Sequence, residues 1–90
     1  MTDRDDLLAS LHEHLAATEQ RPLETEANRW LGEAQAIAAD LKSSNLDSET
    51  VDKRTAKILE LLSEIESTGD DAADEHVAAA RRAAKRVVEQ

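Results

Sequence analysis

Three histidines are the residues best suited to bind a metal ion or carry a proton in this sequence, and their spacing on single helices favours neither role. Two metal ligands on one helix stand three or four residues apart. His12 and His14 are two residues apart, and no histidine or carboxylate lies three or four residues from any of the three, including His76. We therefore predict no metal site and no cofactor, and interpret the histidines as solvated residues at the edges of apolar stripes.

Carboxylates are the most frequent functional groups, with 20 Asp and Glu side chains, so pairs four residues apart, such as Glu60 and Glu64, arise by number alone. A catalytic acid needs a pocket that raises its pKa, and a thin helical domain offers little concavity. The sequence also contains no dinucleotide-binding, phosphate-loop or hydrolase motif. We expect a hydrated acidic surface, no catalytic residues and no enzymatic activity.

The only dense basic cluster is formed by Arg81, Arg82, Lys85 and Arg86, which we call the basic strip. Such a strip could bind phosphate groups or an acidic partner. It could also complement the dipole of its own helix, which would begin with acidic and end with basic side chains. We favour the second interpretation and retain the four residues as a possible interface, because a net charge of −9 opposes nucleic acid.

Trp30 is the largest side chain and the only aromatic one apart from the histidines. It lies in an apolar stripe, so we interpret it first as a core residue whose indole N–H reaches a partner or water. The alternative is an anchor at the centre of a dimer interface.

Four amphipathic segments would have to position these residues, because apolar side chains recur at helical spacing over residues 3–19, 23–42, 48–66 and 70–88. The stripes consist of Leu7, Leu8, Leu11 and Leu15; Leu23, Ala27, Trp30, Leu31, Ala34, Ile37, Ala38 and Leu41; Val51, Thr55, Ile58, Leu59, Leu61, Leu62 and Ile65; and Ala73, Val77, Ala80, Ala84, Val87 and Val88.

Capping and breaking residues delimit these segments. Thr2 is a candidate N-cap of the first helix, and Pro22 stops or redirects the chain after it. Asp47 or Ser48 would cap the third helix and Asp70 the fourth. Gly69 precedes Asp70 and suits the left-handed backbone conformation that follows many helix ends.

These elements predict an all-α fold, a small antiparallel up-down bundle of four helices in a single domain covering residues 1–90. The alternative is a three-helix core on which the N-terminal helix docks loosely after the Pro22 break. That helix could also pair with its counterpart in a second copy. The small alanine face of the fourth helix would allow close approach to its neighbours.

Composition excludes several classes of protein. The chain has no cysteine, which excludes a disulfide framework, and only two glycines, too few for a glycine-rich phosphate loop. Its longest apolar runs are four residues, whereas a bilayer span needs about 20. The first residues are acidic, unlike a signal peptide, so we expect a cytoplasmic protein without membrane contacts.

The excess of Asp and Glu over Lys and Arg, 20 to 11, is typical of proteins adapted to high salt, where ions screen the self-repulsion of an acidic surface. Ile58 to Ala80 contains a helix, a Thr68-Gly69-Asp70 turn and a second helix. The chain from about 51 to 88 thereby resembles short, uncharacterised, acidic helical proteins of haloarchaea. The resemblance implies high-salt adaptation and assigns no residue a role.

The sequence thus favours a non-enzymatic protein–protein interaction or scaffold domain adapted to high salt. Its partner would be another protein or a second copy of the chain, and no small-molecule substrate is implied. The alternative is a small regulator that contacts nucleic acid through the basic strip.

Overall fold

The computed structural model describes residues 4–21, 23–43 and 46–89. This part of the chain contains no strand and folds into four α-helices, α1 (Arg4–Ala17), α2 (Thr25–Ser43), α3 (Ser48–Ser63) and α4 (Asp71–Glu89), with a 3₁₀ turn at Thr18–Gln20. The all-α class predicted from the sequence is confirmed. Among the described helices, none combines the length and the apolar character that crossing a bilayer requires.

The helices run alternately up and down. Arg4 donates a hydrogen bond to the Ser48 hydroxyl (2.9 Å), which places the starts of α1 and α3 at one end of the bundle. At the other end, the Glu24 amide donates to the Thr68 carbonyl (2.8 Å), joining the start of α2 to the loop before α4. Each helix packs on its sequence neighbours, and α4 returns to α1. The result is the predicted four-helix antiparallel bundle.

The alternative in which the first helix docks loosely is wrong. The contact of α1 with α4 is the most extensive helix–helix contact of the structure. Leu11 and Leu15 on α1 are fully buried, and Leu7 and Leu8 nearly so. Alanines on α4, including the fully buried Ala80 and Ala84, present little bulk, so neighbouring helices can come close.

The core follows the predicted stripes, with the exceptions at their edges. Five stripe residues are only half-buried, namely Leu23, Trp30, Ile37, Leu59 and Val88. Ala83 is buried although no stripe included it. Thr55 is fully buried, and its hydroxyl has no hydrogen-bond partner in the described part of the chain.

Helix boundaries agree with the predicted capping residues. The Asp47 carboxylate accepts a hydrogen bond from the Thr50 amide (2.8 Å) at the start of α3. The Asp70 carboxylate accepts from the Ala73 amide (3.0 Å) at the start of α4, and Gly69 has the expected left-handed backbone, with φ of +85°. Thr2 and Pro22 lie outside the described residues.

The end of α3 was predicted three residues too late. The helix ends at Ser63, where the amide of Ile65 bonds to the Leu62 carbonyl (3.2 Å) in a tighter turn. Ile65 remains buried, so the apolar period continues past the helix although the backbone does not. The irregular loop that follows brings Thr68 to the start of α4.

Candidate functional site

A groove of about 630 Å³ lies between α3 and α4 on the outside of the bundle. We call it the α3–α4 groove. Its lining comes from Ala56, Leu59, Glu60 and Ser63 on α3 and from Ala78, Arg81, Arg82 and Lys85 on α4. Apolar side chains and the stems of long basic ones therefore share one concave surface.

Helical spacing explains why these residues meet. Positions 78, 81, 82 and 85 are three or four residues apart along α4, so they form one face. That face lies beside the buried alanine and valine stripe, whose members turn inward. Ala56 and Ala78 are too small to fill the space between the two helices, and the groove stays open.

The basic side chains of the groove are not paired with its one carboxylate. Within the described ranges, Arg81, Arg82 and Lys85 are exposed and form no ion pair. Glu60, the one carboxylate in the lining, lies 3.7 Å from the ammonium group of Lys57 instead. The groove can therefore offer three cations to an incoming anionic group.

The structure divides the predicted basic strip. Arg81, Arg82 and Lys85 line the α3–α4 groove, whereas Arg86 is exposed on α4 and is not part of its lining. The apolar component, above all Leu59, was not predicted as part of a site. The sequence feature that could have indicated this role of Leu59 is its position at the edge of the third apolar stripe.

Trp30 lies on α2, on the other side of α3 from the basic residues of the groove. It is half-buried, and the Arg29 guanidinium lies 4.8 Å from the centre of its ring. Two shallow depressions border the indole, with lining carboxylates that include Glu24, Glu64 and Glu66. Part of the Trp30 side chain therefore packs on the core, and the rest is exposed beside these carboxylates.

The fold also brings together two histidines that sequence reasoning treated separately. Nδ1 of His14, in the last turn of α1, lies 3.1 Å from Nδ1 of His76 on α4, and their ring centres are 5.4 Å apart. Helical spacing relates only positions on the same helix, so it cannot predict a contact between residues 62 positions apart. In the part of the chain that the structure describes, no group of three or more potential metal ligands occurs.

A polar network joins the α1–α2 and α3–α4 connections at the same end of the bundle. Arg21 donates two hydrogen bonds to the Asp70 carboxylate, at 2.9 and 3.1 Å. The Asp74 carboxylate accepts from both the amide and the hydroxyl of the buried Thr68, each at 2.8 Å. The network orders the start of α4, which carries His76 and, further along, the groove residues.

These hydrogen bonds favour the charged forms of the carboxyl groups. The Arg21 guanidinium, followed by the Ala73 amide, lowers the pKa of Asp70, while Asp70 in turn raises the pKa of Arg21. The amide and then the hydroxyl of Thr68 lower the pKa of Asp74. Both acids lie at the start of α4, where the helix dipole also favours negative charge.

Comparison with known protein families places the chain in a family. The model of a family described as a domain of unknown function (DUF8152) matches residues 7–90, which include all four helices apart from the start of α1. No curated protein and no solved structure matches the chain. Because the match covers nearly the whole sequence, the chain belongs to the DUF8152 family of domains of unknown function.

Proposed function

We propose that this chain is a non-enzymatic protein–protein interaction domain, located in the cytoplasm and adapted to high salt, whose α3–α4 groove binds an acidic amphipathic helix of a partner protein. The observation that carries the proposal is the groove itself. Its apolar floor lies beside three exposed cations that have no ion-pair partner among the described residues.

The shape of the groove suits a short helix. Its lining on α3 extends from Ala56 to Ser63, about 10 Å along the helix axis at about 1.5 Å per residue. A bound helix of two to three turns would place apolar side chains against Leu59 and the two alanines. Acidic side chains beside them would reach Arg81, Arg82 and Lys85, and arginine can hold a carboxylate with two hydrogen bonds.

Charge favours a protein over nucleic acid as the occupant. The cations occupy one groove of a chain whose net charge is −9, and Glu60 lies among them. A nucleic acid extends well beyond such a groove and would meet the surrounding acidic surface. An acidic helix can confine its charge to the groove, while its apolar face contributes binding that salt does not screen.

Peptide binding tests the proposal. The probe is a labelled helical peptide of about 14 residues with leucines at helical spacing flanked by glutamates, and fluorescence anisotropy measures its affinity. We expect saturable binding that the double variant Arg81→Glu/Lys85→Glu weakens about tenfold or more. The matched comparison is between Arg81→Glu alone and Arg86→Glu, which makes the same charge change on the same helix outside the groove and should alter the affinity less than about twofold.

Other occupants give different results. Equal weakening by Arg86→Glu and by the groove variants, together with saturable binding of duplex DNA in a gel shift, would overturn the proposal in favour of nucleic acid. Concentration-dependent dimerisation that the groove variants abolish would assign the groove to a second copy. A peptide with lysines in place of the glutamates should bind far more weakly than the acidic one, and equal binding would contradict charge complementarity.

The high-salt part of the proposal has its own test. An acidic surface repels itself at low ionic strength, and molar salt shortens the screening length to about 3 Å. We therefore expect the melting temperature of the protein to rise from low to molar potassium chloride. Equal stability at both concentrations would defeat this part and leave the groove untouched.

Self-association through Trp30 stays a separate prediction. Analytical ultracentrifugation of Trp30→Ala beside the unmodified protein checks it. A folded monomeric variant of a dimeric parent would support an interface role, whereas loss of folding would identify Trp30 as a core residue.

A further inference from the structure

The side chains of His14 and His76 meet between α1 and α4. We propose that His14 and His76 together bind one divalent transition-metal ion of the kind that prefers imidazole, such as Zn²⁺, Ni²⁺ or Cu²⁺, and so clamp α1 to α4. Their Nδ1 atoms are 3.1 Å apart, and the ring planes are inclined by 41°. This site is separate from the α3–α4 groove and does not depend on its function.

The nitrogen separation is close to the one that a metal requires. Two imidazole nitrogens bound to tetrahedral zinc at about 2.0–2.1 Å lie about 3.3–3.4 Å apart. The observed 3.1 Å therefore needs an opening of only a few tenths of an ångström, which side-chain rotation supplies. The backbones of α1 and α4 already hold the two rings at chelating distance.

The proton between the two rings can move so that both Nδ1 atoms bind one metal ion. A hydrogen bond between the two rings needs a proton on Nδ1 of one ring and a lone pair on Nδ1 of the other. Metal binding needs a lone pair on both Nδ1 atoms, so the proton of the donating ring moves to its own Nε2 through solvent. The proton stays on the same ring, so the step balances without an added acid or base.

The surroundings favour nitrogen-preferring metals over magnesium or calcium. The positions three and four residues from His76 are all alanines, and those around His14 are Ser10, Leu11, Ala17 and Thr18. None of these side chains is a carboxylate, the ligand that hard cations prefer. Both rings are half-buried, so water can complete the coordination sphere.

Thermal unfolding with added metal chloride tests the proposal. We expect saturating Zn²⁺ to raise the melting temperature by about 5 °C, because a ligand that binds only the folded state stabilises it by mass action. His14→Gln and His76→Gln should each abolish the shift. His12→Gln is the matched control and should keep it, since it removes a histidine of the same helix outside the pair. Mg²⁺ should have no comparable effect.

A second measurement needs no variant. Nitrogen-15 NMR of the unmodified protein should show Nδ1 of His14 and His76, and not that of His12, moving to metal-bound shifts with one Zn²⁺ per chain. Equal melting shifts in all three variants would assign binding to surface carboxylates and overturn the proposal. So would unchanged signals of His14 and His76 at millimolar Zn²⁺.

Discussion

Along α1, helix α4 is closely packed and hydrogen-bonded, whereas along α3 it borders an open groove. The α1 side has the most extensive helix contact, the histidine pair and the Arg21–Asp70 ion pair. The α3 side has three cations without ion-pair partners and, deeper in α3, a buried Thr55 hydroxyl without a partner in the described chain. Helix α4 thus packs closely on one side and leaves three cations exposed beside a groove on the other.

The difference arises from the residues that the neighbouring helices contribute. Helix α1 presents large leucines to a face of alanines, so bulky and small side chains interlock. Across the groove, alanines on both helices, Ala56 and Ala78, face the same space and leave it unfilled. Small residues therefore permit close packing only where the partner helix supplies the missing volume.

The largest expected difference is in the free energy of unfolding when one leucine is truncated on each side of α4. Leu15→Ala removes a fully buried side chain from α1 and should lower the free energy of unfolding by about 3 kcal/mol. Leu59→Ala removes a half-buried side chain beside the groove and should cost about 1 kcal/mol or less. Urea unfolding measures both, and equal losses would show that the two sides of α4 do not differ.

Thr68 fixes the loop that leads into α4. Its hydroxyl lies 2.8 Å from Oδ1 of Asp74 and accepts a hydrogen bond from the Asp70 amide at 3.2 Å. Thr68→Val removes these bonds from a buried position and should destabilise the protein by about 2 kcal/mol. An unfolding midpoint equal to that of the unmodified protein would mean that the network does not support this end of the bundle.

Low pH should destabilise the end of the bundle that contains Asp70 and Asp74. The pKa values of Asp70 and Asp74 are lower in the folded protein than the ordinary 3.8. Their contribution is therefore complete above about pH 4 and disappears as the pH falls through the lowered values. Urea midpoints between about pH 6 and about pH 2 should fall less steeply in Asp74→Asn than in the control Asp71→Asn. Identical profiles of the two variants would exclude a role for Asp74.

Substitution of Thr55 should change the free energy of unfolding least, and it should raise the stability instead of lowering it. Thr55→Val replaces an unpartnered buried hydroxyl by a methyl group and should stabilise the protein by about 1 kcal/mol. The chemical change is the same as in Thr68→Val, so the pair of variants separates hydrogen bonding from shape. A loss of stability in Thr55→Val would show that the hydroxyl is satisfied by water.

Local sequence determined the helices, their buried faces and most of their caps. Leu11 and Leu15 recur at helical spacing, and Asp47 and Asp70 accept amide hydrogen bonds within their own first turns. Such features depend on residues within one or two turns, so they can be read from the chain. Even here, the predicted end of α3 was too late. The apolar period continues through Ile65, but the helical hydrogen bonds stop at Ser63.

Only the tertiary structure decided which side chains from different helices meet. His14 and His76 are 62 positions apart, and Arg21 and Asp70 are 49 apart. Their pairing depends on how far each helix is rotated and shifted along its neighbour, which the fit of leucines against alanines sets. The same fit separates Arg86 from the three cations of the groove, although the four are almost contiguous in sequence.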